Sequence, residues 1–320
     1  MTEKSTANPK TQNRCLNIPI IFFIITTCTI ILNAEVVRSS IINGIRLSAL
    51  SIIPSLFPFF IMSDFLSANY QDNGGAFSKF ICNALGISRI SIGSIVIGFV
   101  CGFPLGVKNA SELYLNKRIS KEECERLCMI SNNPSFAFVV SGVGAALFGS
   151  IAFGLLLYFS VVLSAAFIAT FTKPNKQKNQ NIANIPRQKF ELSLSIKSAA
   201  ISSIYISSYI IFFSAVLGLV FHLCKIEWLN IIFASVLEIG NATAIISRSK
   251  IIPVILRPAL AAFSLGFSGI SVFMQSASYL PPEISKRKLL GYKLIQGALS
   301  AFLATILYYI IIFFRLITFK

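Results

Sequence analysis

The feature that most constrains this chain is a series of long apolar runs almost free of charge, several of them cut near their middle by glycine or proline. In hydrocarbon a backbone must satisfy its own polar groups, so only helices and closed barrels cross a bilayer. The runs are continuous and do not alternate every second residue, which excludes a β-barrel and leaves a polytopic, all-α membrane protein. Composition agrees: 55% of the 320 residues are hydrophobic and 12% charged, with a mean hydropathy of +0.75. The net charge of +16 would suggest nucleic acid on a soluble chain, but the bases fall in gaps between apolar runs, where positive-inside topology accounts for them. No nucleic-acid partner is expected, and the lipid bilayer is. Seven cysteines, several within apolar stretches (Cys28, Cys101, Cys224), read as small buried hydrophobes and not as a disulfide framework.

Residues 18–32 form an uncharged run after a polar start holding Lys4, Lys10 and Arg14. The bulky Leu32 before Asn33-Ala34 argues against signal cleavage, so a retained first helix with a cytoplasmic N-terminus is expected. Ser39, Asn43 and Arg46 share one helical face, predicting an interfacial helix. Residues 48–62 carry Pro54 and Pro58 and end at Asp64, predicting a segment broken and buried among other helices. Residues 90–105 hold Gly98, Gly102 and Pro104 and are too short for one straight crossing. Ser131-Asn132-Asn133-Pro134-Ser135 is a polar kink, either a hairpin tip or a loop, and residues 148–171 span. After a basic linker come residues 196–223, then 228–246 containing Glu238, then 251–280 interrupted by Pro253, Pro258, Gly266 and Gly269, and a last span over 294–314.

Tyr114-Leu115 followed by Ile119-Ser120-Lys121 recurs as Tyr279-Leu280 followed by Ile284-Ser285-Lys286 with the same spacing. Each copy follows a glycine-broken apolar segment, so the spacing predicts a duplication, the signature of transporters built from inverted repeats with broken or re-entrant helices. Residues 1–34 then form the cytoplasmic N-terminus and first helix, 35–171 one repeat, 172–190 a basic cytoplasmic linker and 191–320 the other. A first crossing starts the first repeat outside and the linker starts the second inside. The expectation is therefore that residues 117–126 lie outside and Lys286-Arg287-Lys288 inside.

Broken helices at matching points of two inverted halves point to a midplane binding site, because half-helix ends expose amides and carbonyls. The candidates are Gly102, Pro104, Gly106, Asn132, Asn133, Glu238, Asn241, Gly266, Gly269, Ser271 and Gln275. Glycine also serves close helix packing, and Ser and Asn also serve interhelical bonds. Glu238, ionisable within a span, is expected to bind solute, carry a proton or hold a coupling cation, or else to pair with Arg248 or Arg257. Asp64, at a span's end, is the second candidate for ion or proton coupling.

Catalytic readings fail early. His222 is the one histidine, so two-histidine metal sites are impossible. Gly266-Phe267-Ser268-Gly269 matches the G-x-S-G of rhomboid-type proteases, but His222 precedes the serine, and an unassisted hydroxyl is not activated. Cys124 and Cys128 lack further ligands for zinc. No enzyme, metal or cofactor is expected.

Five ordered motifs carry a resemblance. Pro54-Ser55-Leu56-Phe57-Pro58-Phe59-Phe60, Gly102-Phe103-Pro104-Leu105-Gly106-Val107-Lys108, Ser131-Asn132-Asn133-Pro134, Leu237-Glu238 with Asn241, and Gly266-Phe267-Ser268-Gly269-Ile270-Ser271-Val272 together resemble the YlbJ-type sporulation integral membrane proteins over residues 40–310. The resemblance implies membership of the nucleoside recognition, or Gate, domain group, which is similar to parts of concentrative nucleoside transporters. The resemblance implies a multi-pass protein of the bacterial cytoplasmic membrane acting in spore formation. On this basis the expected function is transporter-like, moving or sensing a small polar, nucleoside-like solute by alternating access. The rival is a non-transporting scaffold for spore envelope or coat assembly. Self-association is left open.

Overall fold

The computed structural model describes residues 9–69, 75–172 and 190–318, and every regular element among them is helical. Among the described residues four helical segments are individually long and apolar enough to cross a membrane: Ile151–Phe171, Leu192–Leu223, Val254–Ala277 and Lys286–Phe313. Large apolar side chains such as Phe159, Phe167, Ile201, Phe212 and Phe302 are exposed along them, as a lipid-facing surface requires. The basic linker expected over 172–190 lies, apart from its ends, outside the described residues.

α1 (Pro9–Leu32) turns through 88° into α2 (Ala34–Leu47). α2 continues through a π-helical turn (Ser48–Ile52) into α3 (Ile53–Asn69). This stretch runs antiparallel to α9 (Leu192–Leu223): Gly44 backs onto Ile211 and Ser214, Gly218 onto Ser40, and Asp64 accepts from Ser195 Oγ at 2.9 Å. Ser39, Asn43 and Arg46 do share an exposed face, but the helix does not stop at an interface. The break expected at Pro54 and Pro58 is absent. Before Pro54 the Ile53 N–H reaches back to Ser48 O in a wider turn that makes room for the proline ring, α3 runs on through Pro58, and both prolines are exposed instead of buried.

α4 (Ala76–Leu85) turns through 91° into α5 (Ile92–Val100), as a run too short for a straight crossing demands. After a break at 101–104, α6 (Leu105–Leu115) returns beside α5, and Ser94 Oγ donates to Asn109 Oδ1 across the hairpin at 2.5 Å. α7 (Lys121–Ser131) stops at 132–135 and resumes as a π-helical segment (Phe138–Leu147), along which α8 (Ile151–Phe171) packs back. In the second half, α10 (Glu227–Leu237) and α11 (Ile239–Arg248) form another hairpin with Glu238 at its tip. Ser249 Oγ joins its open end to Glu227 Oε1 at 2.6 Å. α12 (Arg257–Phe267) and α13 (Gly269–Ala277) are halves of a helix interrupted at Ser268, and α14 (Lys286–Thr318) packs along α12 and α8.

One face gathers the entry to α5, the α6–α7 turn, the end of α8 and the α13–α14 turn. Glu123 Oε1 accepts from Ser88 N–H and Ser91 Oγ, both at 2.6 Å, and Arg126 donates to the carbonyls of Leu85, Ala169 and Thr172. Lys288 Nζ pairs with Glu125 at 2.7 Å, and the Ser285 N–H donates to the same carboxylate. The first half of α9 is tied to this face by Tyr279 OH, which donates to Ser202 Oγ at 3.4 Å. Its 32 residues, about 48 Å of helix, carry the chain to the far face, where the α10–α11 hairpin opens. The two hairpins thus enter from opposite faces, and the two interrupted helices run in opposite senses.

This inversion does not relate the segments that the sequence repeat suggested. Both copies of the Tyr-Leu…Ile-Ser-Lys motif form a turn whose serine caps the next helix, Ser120 Oγ accepting from Glu123 N–H and Ser285 Oγ from Lys288 N–H. Yet Ile119 and Ile284 share one apolar cluster, and Glu125 grips Lys288. The expected placement of 117–126 and 286–288 on opposite sides is therefore corrected: they lie on the same face. In an otherwise cysteine-free chain, cysteines at Lys117 and Ser285 should react with a membrane-impermeant thiol reagent from one side and a cysteine at Lys250 from the other. Labelling of the first two from opposite sides would contradict the arrangement.

Candidate functional site

Each hairpin tip rests on the interruption of a neighbouring helix. At the first tip the Phe103 N–H donates to Asn133 O at 2.7 Å. Gly102, at φ +83°, lies so close to the Ser135 backbone that a Cβ would collide with it, and Gly98 and Gly106 abut Ser131 in the same way. Pro104 is buried beside them. At the second tip Gly269, at φ +72°, sits against the Leu237 carbonyl and the Glu238 amide. Ser268 also has φ +72°, a left-handed conformation that costs a non-glycine residue about 1–3 kcal/mol. It is buried, and its Oγ donates to Leu265 O at 3.2 Å.

Glu238, 5% exposed, is the N-cap of α11. Its carboxylate accepts from Gly240 N–H at 2.9 Å, Asn241 N–H at 2.7 Å and Asn241 Nδ2 at 2.9 Å. A negative charge at a helix N-terminus is stabilising by up to about 2 kcal/mol in partly buried geometry. The pairing with Arg248 or Arg257 is not made: Arg257 instead donates to Ser247 O and Ser249 O at the open end of the hairpin.

The interruption of α7 is closed from α14. Lys293, 1% exposed, donates from Nζ to Asn132 O and to Gln296 Oε1, both at 2.7 Å. Gln296 Nε2 donates to Asn133 Oδ1 at 2.6 Å and to Val161 O at 3.3 Å. Ser276 Oγ on α13 donates to Asn132 Oδ1 at 2.9 Å, while Asn132 Nδ2 is buried without a partner. Ser300 and Ser164 share a hydrogen bond at 2.7 Å one turn further along. Among the described residues no carboxylate lies within ion-pairing distance of Lys293.

Lys293, Gln296 and Ser300 are site residues that the sequence reading missed. Opening the last span at 294 left Lys293 with the basic turn Lys286-Arg287-Lys288. The available signal was the spacing of three and four, which places these polar residues on one stripe of a helix.

The expected residues therefore fall into two linked groups. Gly102, Pro104, Gly106, Asn132 and Asn133 meet at the first tip, and Glu238, Asn241 and Gly269 at the second. On α13, Gln275 Nε2 donates to Ser271 Oγ at 3.3 Å, and both residues are buried. Gly266 faces Ser300 and the Gln296 carbonyl, which is close helix packing. Asp64 stands apart near the basic face, where it accepts from Lys108 Nζ at 3.4 Å. Beside it a cleft of about 500 Å³ opens between α6, α9 and the α13–α14 turn, lined by Lys108, Lys197, Ser198, Ser202, Tyr205 and Tyr279. It lies away from the Glu238 tip where the sequence pointed.

No protein-family model matches the chain, and no solved structure matches it significantly. Among curated proteins it is similar to the sporulation integral membrane protein YlbJ of Bacillus subtilis (strain 168), with 21% identity over 332 aligned positions covering 90% of this chain and 81% of that one. That likeness bears out the resemblance carried by the ordered motifs. Together with the apolar helices it makes this an integral membrane protein that crosses the bilayer several times.

The contacts at the first tip are set by glycine. Gly98→Ala and Gly106→Ala should each destabilise the protein by about 1–3 kcal/mol, the usual cost of overpacking. Gly291→Ala, where a Cβ meets open space, should be neutral or stabilising. Thermal unfolding of the three variants in detergent measures the contrast.

Proposed function

We propose that the protein is a transporter-like carrier that moves or senses a small polar solute by alternating access, in the service of spore formation. The observation that carries the reading is the pair of hairpins entering from opposite faces, each tip seated on an interrupted helix. Half-helix ends gathered within the membrane are what solute carriers use to hold polar groups away from water. The sporulation role is drawn from the likeness to YlbJ.

The face holding Arg89, Lys117, Arg118, Lys121, Arg126, Lys286, Arg287 and Lys288 is cytoplasmic on the positive-inside rule, since Arg38, Lys225, Arg248, Lys250 and Arg257 are fewer on the far side. We infer a cytoplasmic N-terminus as well, from Lys4, Lys10 and Arg14 ahead of the uncharged run at 18–32. The cleft then gives entry from the cytoplasm. Tyr205 and Tyr279 offer ring faces, their centroids 6.4 Å apart, while Ser198 and Ser202 offer hydroxyls and Lys197 a charge. This chemistry suits a nucleoside-like solute, a ring system bearing hydroxyls. No catalytic step is assigned. Ser268 Oγ is spent on Leu265 O, and His222 is exposed at the far end of α9, so Ser268→Ala should keep function wherever it keeps the fold.

One observation favours a second reading, a non-transporting scaffold for spore envelope assembly: the half-helix ends at the second hairpin tip and at the interruption of α7 are capped by the protein's own side chains, Glu238 and Lys293. Solute uptake in proteoliposomes and complementation of a sporulation defect separate the two. A carrier predicts that Lys197→Gln and Ser202→Ala lower apparent solute affinity roughly threefold to tenfold, about the worth of one hydrogen bond, at unchanged membrane levels. Normal complementation by both, with failure of Lys117→Glu and Lys121→Glu, would favour the scaffold.

A further inference from the structure

The C-terminal end of α7 points its last carbonyls into the interior of the protein, carrying the partial negative charge of a helix C-terminus. In carriers built from interrupted helices, such ends and the unwound carbonyls beside them coordinate the coupling cation. Here the position is met by a side chain from another helix. Lys293, fully buried on α14, places Nζ 2.7 Å from the Asn132 carbonyl, the first residue past α7, and 2.7 Å from Gln296 Oε1. Both neighbours are oxygen acceptors, the kind of ligand a cation takes. Gln296 is itself oriented by Asn133 Oδ1 and Val161 O, so the acceptor aimed at Nζ is held in place. Among the described residues no carboxylate is paired with Lys293, which leaves the carbonyl end of α7 as its counter-charge.

We propose that Lys293 is a tethered cation: its ammonium occupies the place of a coupling ion at the interruption of α7, so that this protein binds no free sodium or other metal ion there. The inference deepens the carrier reading and rests on it only for its functional meaning, because the occupancy itself is a property of the resting fold. It also gives Gln296 a role as a positioning residue, holding Oε1 toward Nζ and Nε2 toward Asn133.

The test uses the full-length protein in detergent, with thermal unfolding followed at equal ionic strength in sodium, potassium, choline or ethylammonium chloride. The wild type should unfold at the same temperature in sodium as in choline. Lys293→Ala should unfold several degrees lower in choline and recover in sodium or ethylammonium, each of which can enter the vacated position. Lys293→Gln, which keeps two donors and removes the charge, should show the same response in weaker form and decides on the same terms if the alanine variant is not recovered folded. Sodium-specific stabilisation of the wild type, or folded variants indifferent to both sodium and ethylammonium, would overturn the proposal. Uptake plays no part in this reading, so absence of transport would sink the carrier function alone, and a sodium-stabilised wild type would sink the tethered cation alone.

Discussion

A helix that stops inside a bilayer has nowhere to send its terminal N–H and C=O groups except to other parts of the protein, because each one left open to hydrocarbon costs several kcal/mol. This chain interrupts a helix or turns a hairpin at 101–104, 132–135, Glu238 and Ser268, and the structure is arranged around closing those four places. Phe103 N–H is given to Asn133 O, so the first tip and the first interruption satisfy one another. Glu238 turns its carboxylate onto the first amides of α11. Lys293 and Gln296 cover the end of α7. Removing any one of these partners exposes a group that lipid cannot serve.

Holding the partners that close requires small residues where backbones meet. Lipid tails are as apolar as leucine, so helices in a membrane associate through van der Waals fit and hydrogen bonds, with no hydrophobic drive between them. Gly98 and Gly106, one on each arm of the first hairpin, both close on Ser131; Gly266 closes on Ser300, and Gly144 on Gly154. The glycines of the candidate list are thus mostly packing residues. Their function is indirect: they bring the tips near enough to the interruptions for hydrogen bonds of 2.6–2.9 Å to form.

The helices and their interruptions were legible because hydropathy and helix-breaking residues act locally. Glycine, proline and Asn-Asn-Pro mark the first tip and the stop of α7, and the structure ends its helices there. What misled the reading was also local. The Tyr-Leu…Ile-Ser-Lys motif recurs because a turn followed by a serine cap and a helix has the same requirements wherever it occurs, and recurrence of a cap says nothing about which side of the membrane it faces. Pro54 and Pro58 read as a break since a lost donor must be made good, but a π-helical turn precedes Pro54 and α3 runs on through Pro58. Lys293 was hidden by its neighbours, because a lysine a few residues beyond Lys286-Arg287-Lys288 is read as flanking charge until its register with Gln296 and Ser300 is counted. The alternative of an arginine partner for Glu238 followed from charge alone; the first amides of α11 supply the same stabilisation without an opposite ion.

The two capped ends are not equivalent, and the difference bears on movement. Glu238 is held entirely by its own hairpin, by Gly240 and Asn241, so that bond set travels as a unit with α10 and α11. The end of α7 is held from elsewhere: Lys293 and Gln296 come from α14, and Ser276 from α13. Any displacement of the first hairpin and α7 against the second half must break or re-form those bonds, while the Glu238 set is untouched. Packed interfaces of this kind switch between discrete arrangements and do not deform smoothly. On the carrier function proposed above, the energetic barrier to alternating access would sit around Asn132, whose unpaired Nδ2 is one donor already available to an alternative partner. A carrier with this layout would exchange the ties of Asn132 and Asn133 during its cycle and keep Glu238 as a fixed part of one moving body.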